Sequence, residues 1–255
     1  MRKALPRAVV AVGAIGLLVC ASAYAVKIEL GNTTISATAN LLPRTLPAKG
    51  NAPITLSSIT RIGTADGSPP PALERMEFLL DKHGSIETKG VPTCTAAKLA
   101  DTTPAVARKR CAGALVGEGT GKAKVSIPGR PTVEISSPLS FFNAPPVGGK
   151  PSLIVHAYET VPAPKTLLVP IVIERVKHGR YGYRAEVQLP EIGAGYGTPT
   201  LAEATVGKTF KRGGRSVGYI NAHCAGGRLQ VHGTLHFANG DVFPSTLTSP
   251  CHSPG

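Results

Sequence analysis

Arg180-Tyr181-Gly182-Tyr183-Arg184-Ala185-Glu186-Val187-Gln188-Leu189 alternates residue by residue. Tyr181, Tyr183, Ala185, Val187 and Leu189 fall on one face and the charged and polar residues on the other, the period of a half-buried β-strand. Upstream, Leu167, Val169, Ile171 and Ile173 share a face and lead through Lys177-His178-Gly179 into this strand, a hairpin signature. Downstream, Leu229, Val231, Gly233, Leu235 and Phe237 alternate with polar residues, and Asn239-Gly240 then turns the chain into a strand over 242–248. Lys211-Arg212-Gly213-Gly214-Arg215 reads as a further turn, between strands at 205–210 and 216–222.

The N-terminal half repeats the pattern over 26–30, 33–39, 54–62 and 76–80, with a turn at Asp81-Lys82-His83-Gly84 leading into 86–89. Further strands are predicted at 114–118, 123–127, 132–136 and 152–158. About a dozen short strands at turn-punctuated spacing predict an all-β sandwich or barrel, antiparallel throughout. Pro170 and Pro244 are expected on edge strands, where a missing N–H is tolerated. One helical insertion is predicted between Cys94 and Cys111: Thr95 precedes Ala96–Ala100, and Thr103-Pro104 is a cap followed by proline at the first helical position. Arg108-Lys109-Arg110 then falls at the negative end of that helix. The expected organisation is one β-rich domain over 26–255, with a division into two β sub-domains near 145–151 as the alternative.

Composition agrees. Gly and Pro make up 52 of 255 residues, high for a helix bundle, and 42% hydrophobic residues suffice for a core. Met1-Arg2-Lys3 and Arg7, an apolar run over 8–20 and Ala23-Tyr24-Ala25 have the three parts of a secretory signal peptide, so residues 1–25 are read as a leader. The apolar run of 13 is too short for a bilayer that needs about 20 residues. A lipoprotein signal at Cys20 is disfavoured because Val19, not a small residue, precedes it.

Beyond the leader, Cys94, Cys111, Cys224 and Cys251 are an even number in an exported chain, which points to two disulfides in an oxidising compartment. Three pairings are open. Nearest-neighbour pairing closes loops of 16 and 26 intervening residues, each worth roughly 3 kcal/mol on the chain-entropy model.

Motifs with chemical meaning are few. Gly214-Arg215-Ser216-Val217-Gly218 matches the nucleophile elbow G-x-S-x-G, and Asp241 and His252 follow in triad order. The elbow needs a strand before the serine and a helix after it, whereas Ser216 follows a turn and enters a strand, so no catalytic residue is assigned. Gly117-Glu118-Gly119-Thr120-Gly121 and Gly193-Ala194-Gly195-Tyr196-Gly197 open no helix and are read as turns, not phosphate loops. His232 and His236 are about 13 Å apart along a strand, too far for one ion. His223 and His252 each adjoin a cysteine and are the remaining candidates for proximity, but no metal or cofactor is expected. Glu191 and Glu203 bracket a Gly-rich segment and are the acid pair with the best claim to hydrolytic chemistry, which needs carboxylates about 5–9.5 Å apart.

Charge is the global property that suggests a partner. Residues 26–255 carry 25 Lys and Arg against 15 Asp and Glu, a net +10. Lys208, Lys211, Arg212 and Arg215 cluster around one predicted hairpin, and Arg180 and Arg184 project from the outer face of another strand. Such a surface attracts polyanions in a salt-dependent way. In an exported protein these are anionic envelope polymers or lipid headgroups. Nucleic acid is not expected, because recognition helices and aromatic-interleaved basic motifs are missing.

Cys94-Thr95-Ala96-Ala97, Arg110-Cys111-Ala112-Gly113-Ala114-Leu115-Val116-Gly117, Phe142-Asn143-Ala144-Pro145-Pro146 and Asn221-Ala222-His223-Cys224-Ala225-Gly226-Gly227 together resemble uncharacterised exported β-rich proteins of high-GC actinobacteria. The resemblance spans most of residues 75–255 and implies an exported location alone. The leading expectation is a non-enzymatic binding or structural module with a basic surface. The alternatives are a hydrolase using Ser216 or the Glu191 and Glu203 region, and a carrier of an apolar ligand.

Overall fold

The computed structural model describes residues 25–254. The expected leader therefore lies outside the described residues except for Ala25, the first residue of strand β1. Sixteen strands follow in chain order. They are β1 (Ala25–Leu30), β2 (Thr33–Leu42), β3 (Ala52–Thr64), β4 (Leu73–Asp81), β5 (Gly84–Ile86), β6 (Leu115–Val125), β7 (Val133–Val147) and β8 (Lys150–Glu159). The second half adds β9 (Lys165–His178), β10 (Tyr181–Gln188), β11 (Gly197–Val206), β12 (Thr209–Arg212), β13 (Arg215–Gly218), β14 (Ile220–Ala222), β15 (Arg228–Phe237) and β16 (Val242–Pro250).

Twelve of them form one antiparallel path, β1-β2-β3-β11-β6-β7-β8-β9-β10-β4-β15-β16, that curls into a near-closed barrel. At the seam β16 runs parallel to β2. Leu41 N donates to Ser249 Oγ at 3.3 Å, and beyond the strand ends Thr45 and His252 form a parallel bridge. Leu46 N donates to His252 O and His252 N to Arg44 O, both at 3.0 Å. Pro244 is on the edge strand β16, as its missing N–H requires. Pro170 is not on an edge. It lies within β9 opposite Ile154 of β8, but the β9–β10 ladder ends at Val172, so no partner asks Pro170 for a hydrogen bond.

The alternating faces build the interior. Leu153, Val155, Ile171, Ile173, Tyr183, Ala185 and Val187 are buried together with Met76, Phe78 and Leu80, each full-sized apolar side chain contributing roughly 2 kcal/mol. After the Asp81-Lys82-His83-Gly84 turn the strand expected over 86–89 forms earlier, as β5 over Gly84–Ile86, and does not return along β4. Both neighbours of β4 are taken by β10 and β15, so β5 pairs with β14 instead, and β14 pairs with the start of β3. This small ladder carries Ile86 and Ile220 across one mouth of the barrel. An apolar cavity of about 70 Å³ lies between Leu41, Ile54 and Leu56 on one wall and Leu80, Tyr183 and Leu229 on the other.

Gly117, Gly119 and Gly121 are a second departure from the sequence reading. They lie inside β6, not in a turn, and the strands predicted on either side are one. A Cβ on Gly119 would stand 1.9 Å from Glu203 O of the neighbouring β11, and one on Gly117 would stand 2.7 Å from Thr205 O. The two strands approach so closely that only glycine fits. Gly193–Gly195 does form a turn, a single 3₁₀ turn between β10 and β11. Pro145–Lys150 closes the β7–β8 hairpin within the same sheet.

Between Cys94 and Cys111 lie helices α1 (Ala96–Leu99) and α2 (Pro104–Arg110), followed by a 3₁₀ turn over 112–114. They start where expected, although neither the Thr95 nor the Thr103 hydroxyl makes a cap hydrogen bond. The insertion packs outside the barrel: Leu99, Ala107 and both cysteines cover the outward residues Phe142, Ala144 and Ile154, so β8 is buried on both faces. His156 is fully buried in this interface. Its Nε2 is 3.0 Å from Thr102 O, a carbonyl that only accepts, which fixes the proton on Nε2. Nδ1 has no partner, and burial pushes the imidazole pKa down.

Candidate functional site

Because every barrel ladder is antiparallel, each connection belongs to one end or the other. The basal end carries 43–51, 81–92, 148–150, 177–180, 207–219 and 223–228, together with the insertion folded up along the wall. Leaving the insertion aside, these connections hold twelve Lys and Arg against two acids, Asp81 and Glu87. Counted in the same way, with strand-end residues included, the opposite, apical end holds two cations, Arg130 and Lys165, against Asp66, Glu159, Glu191 and Asp241. Charge is thus segregated along the barrel axis.

Pairing sharpens the contrast. On the wall, Arg61 faces Glu203, Lys122 faces Glu134 and Arg108 faces Glu118. Basal cations with a carboxylate within 4 Å among the described residues are Arg180, Arg212 and Lys150, so nine of the twelve have none. Uncompensated charge at one end of a low-dielectric body produces a field that reaches about a Debye length into solvent.

The basal connections are braced. Asp81, 5% exposed, accepts from Arg180 Nε at 2.9 Å, Gln230 N at 3.0 Å and His83 N at 3.0 Å. His83 Nδ1 also lies 2.8 Å from Asp81 Oδ1, without hydrogen-bond alignment. Arg180 reaches on to Arg228 O at 2.6 Å, tying the β9–β10 turn to the start of β15. Cys94 is bonded to Cys111, and Cys224 to Cys251 at the base of the seam. Lys208 Nζ donates to Gly113 O at 2.5 Å, linking the β12–β13 hairpin to the insertion. Tyr219, at the foot of that hairpin, is 1% exposed, and burial pushes its hydroxyl up to about 12.

Of the six cations singled out in the sequence, Arg180, Lys208, Lys211, Arg212 and Arg215 are basal. Lys211, Arg212 and Arg215 stand together around the Gly213-Gly214 turn of the exposed β12–β13 ladder. Arg184 is elsewhere. It projects from the wall between Glu77 at 3.2 Å and Glu186 at 2.9 Å, and its hydrogen bond holds the Glu186 carboxyl below the usual range.

The triad residues are not assembled. Ser216 is in the basal hairpin, Asp241 is in the apical β15–β16 turn, and His252 bonds Thr45 across the seam, Nε2 to Oγ1 at 2.7 Å. Glu191 is beside Ile192, which bridges Gly197 at the apical start of β11. Glu203 is six residues further along that strand, about 20 Å away and outside the range for a glycosidase pair. His232 bonds Thr246 and His236 bonds Arg75. His223 meets His83 at 5.0 Å between ring centroids, not His252. Among the described residues no group of three His, Cys, Asp or Glu is placed to hold a metal ion. The apolar cavity of about 70 Å³ is well below the roughly 300 Å³ at which ligand pockets begin.

Asp81 and His156 are among the buried polar residues that sequence reading missed, as is Glu159, whose Oε2 accepts from Gly193 N at 2.8 Å. Asp81 appeared only as the first residue of a turn, and His156 only as an unremarked member of an apolar strand. No family model and no curated protein matches the chain.

Proposed function

We propose that the protein is a non-enzymatic binding module of the cell exterior whose basal end takes anionic envelope polymers or lipid headgroups. The observation that carries this reading is the charge segregation: twelve cations against two acids at one end, two against four at the other, strand-end residues included at both. A protein using Lys and Arg for solubility alone has no reason to gather them at one end with their counter-charges elsewhere. Two disulfides fit an oxidising compartment, and residues 1–25 have the parts of an export leader.

The test is chromatography of residues 26–255 on a phosphate-bearing matrix. Elution is expected at high salt for the wild type and at markedly lower salt for Lys211→Glu/Arg212→Glu/Arg215→Glu. The control, Arg61→Glu/Lys122→Glu/Lys124→Glu, changes net charge equally on the wall. Equal losses in both variants, or retention indifferent to salt, would overturn the assignment of binding to the basal end.

A further inference from the structure

We infer that the basal end docks flat against an anionic lipid bilayer. This deepens the reading above and rests on it. A single polymer strand is best held by a groove, with cations in a line. Here the cations come from six separate connections distributed around the barrel rim, which places them about a plane instead of along a path. The mouth inside that rim is crossed by the β5–β14 ladder, and an open cleft of about 610 Å³ lies at the opposite end, between Asn32, Thr64, Ser68, Pro71 and Asp241.

Two apolar side chains stand among the basal cations. Val147, at the β7–β8 turn, is 55% exposed, and Leu42, at the foot of β2, is 49% exposed. The apical end also exposes Leu30, Val133, Tyr196 and Val242 but without a ring of cations around them, so it is the pairing of apolar side chains with cations that marks the basal end. A phosphate polymer in water offers neither Val147 nor Leu42 a place to go. A bilayer interface does, because apolar residues enter the headgroup boundary while Lys and Arg meet acidic headgroups. Rigidity suits the same partner: the Asp81 node and the two disulfides hold the connections in place, so little ordering remains to be done on contact.

The test is co-sedimentation of residues 26–255 with phosphatidylcholine vesicles, with and without about 30% phosphatidylglycerol, at low salt and at about 0.5 M salt. Binding is expected only to the anionic vesicles and is expected to vanish in high salt. Lys211→Glu/Arg212→Glu/Arg215→Glu should weaken it by about a hundredfold, at roughly fivefold per cation. Arg44→Glu/Lys49→Glu, on a different connection, should weaken it as well. Leu42→Ser/Val147→Ser should lower vesicle binding several-fold while leaving retention on the phosphate matrix unchanged. Retention on the matrix without vesicle binding would overturn docking and leave the polyanion reading standing. Loss of both would remove both. Equal binding to neutral vesicles would overturn the electrostatic basis of the inference.

Discussion

Arg180 Nε donates to Asp81 Oδ2 at 2.9 Å across 99 residues of sequence, and the carboxylate between them is 5% exposed while the guanidinium group is 29% exposed. The asymmetry makes the two ends of the pair unequal. Removing the arginine leaves an acid that still accepts from two backbone N–H groups; removing the acid leaves those donors unpaired and the cation with Arg228 O alone.

Asp81→Ala is therefore expected to cost about 2–4 kcal/mol of unfolding free energy, and Arg180→Ala about 1 kcal/mol, in urea titrations. The reverse order would mean that the backbone donors of Gln230 and His83 do not matter.

The two disulfides should fail differently. Cys94→Ser/Cys111→Ser frees an insertion attached to the outside of an intact wall, so proteolysis should begin within 95–110 while the barrel survives. Cys224→Ser/Cys251→Ser loosens the seam and should lower global stability by roughly 3 kcal/mol, read as a shift of the whole unfolding transition.

Acid should loosen the insertion through His156. Burial lowers its folded-state pKa below the ordinary 6.5. Below pH 6.5 the unfolded chain takes up a proton that the folded protein resists, so stability is complete above that pH and falls as pH descends through the folded-state pKa. His156→Leu should be less stable at neutral pH, having lost the bond to Thr102 O, and should show a shallower decline in acid. An unchanged slope would show that other groups set it.

Gly119→Ala should destabilise the β6–β11 pairing by more than 2 kcal/mol, because the new methyl carbon meets Glu203 O at 1.9 Å. Gly63→Ala, also within a strand, meets only Thr34 Oγ1 at 3.4 Å and should be nearly neutral. Thermal midpoints compare the two directly.

Local order was legible in the sequence to the extent that it depends on neighbours in the chain. Alternation in 180–189 and 229–237 placed β10 and β15 with the correct buried faces, and Thr95 and Thr103-Pro104 located both helices. What depends on distant partners was not legible. The 81–84 turn resembles a hairpin until β10 and β15 claim both sides of β4. Gly117, Gly119 and Gly121 resemble a loop until β11 presses against them, and Arg184 resembles Arg180 until Glu77 arrives beside it from β4. The segregation of charge follows the same rule: it becomes visible only when each connection is assigned to an end.

Thr45 and His252 meet across 207 residues, and their bridge fastens a seam along which β1 and β16 share no ladder. β2 lies early in the chain order and His252 beyond the last strand, β16. The cylinder is therefore fastened only once residues 249–252 are in place, and a chain cut before Ser249 lacks at once the Leu41 contact, the Cys224–Cys251 bond and the Thr45 bridge, which leaves the edge of β2 open to other strands.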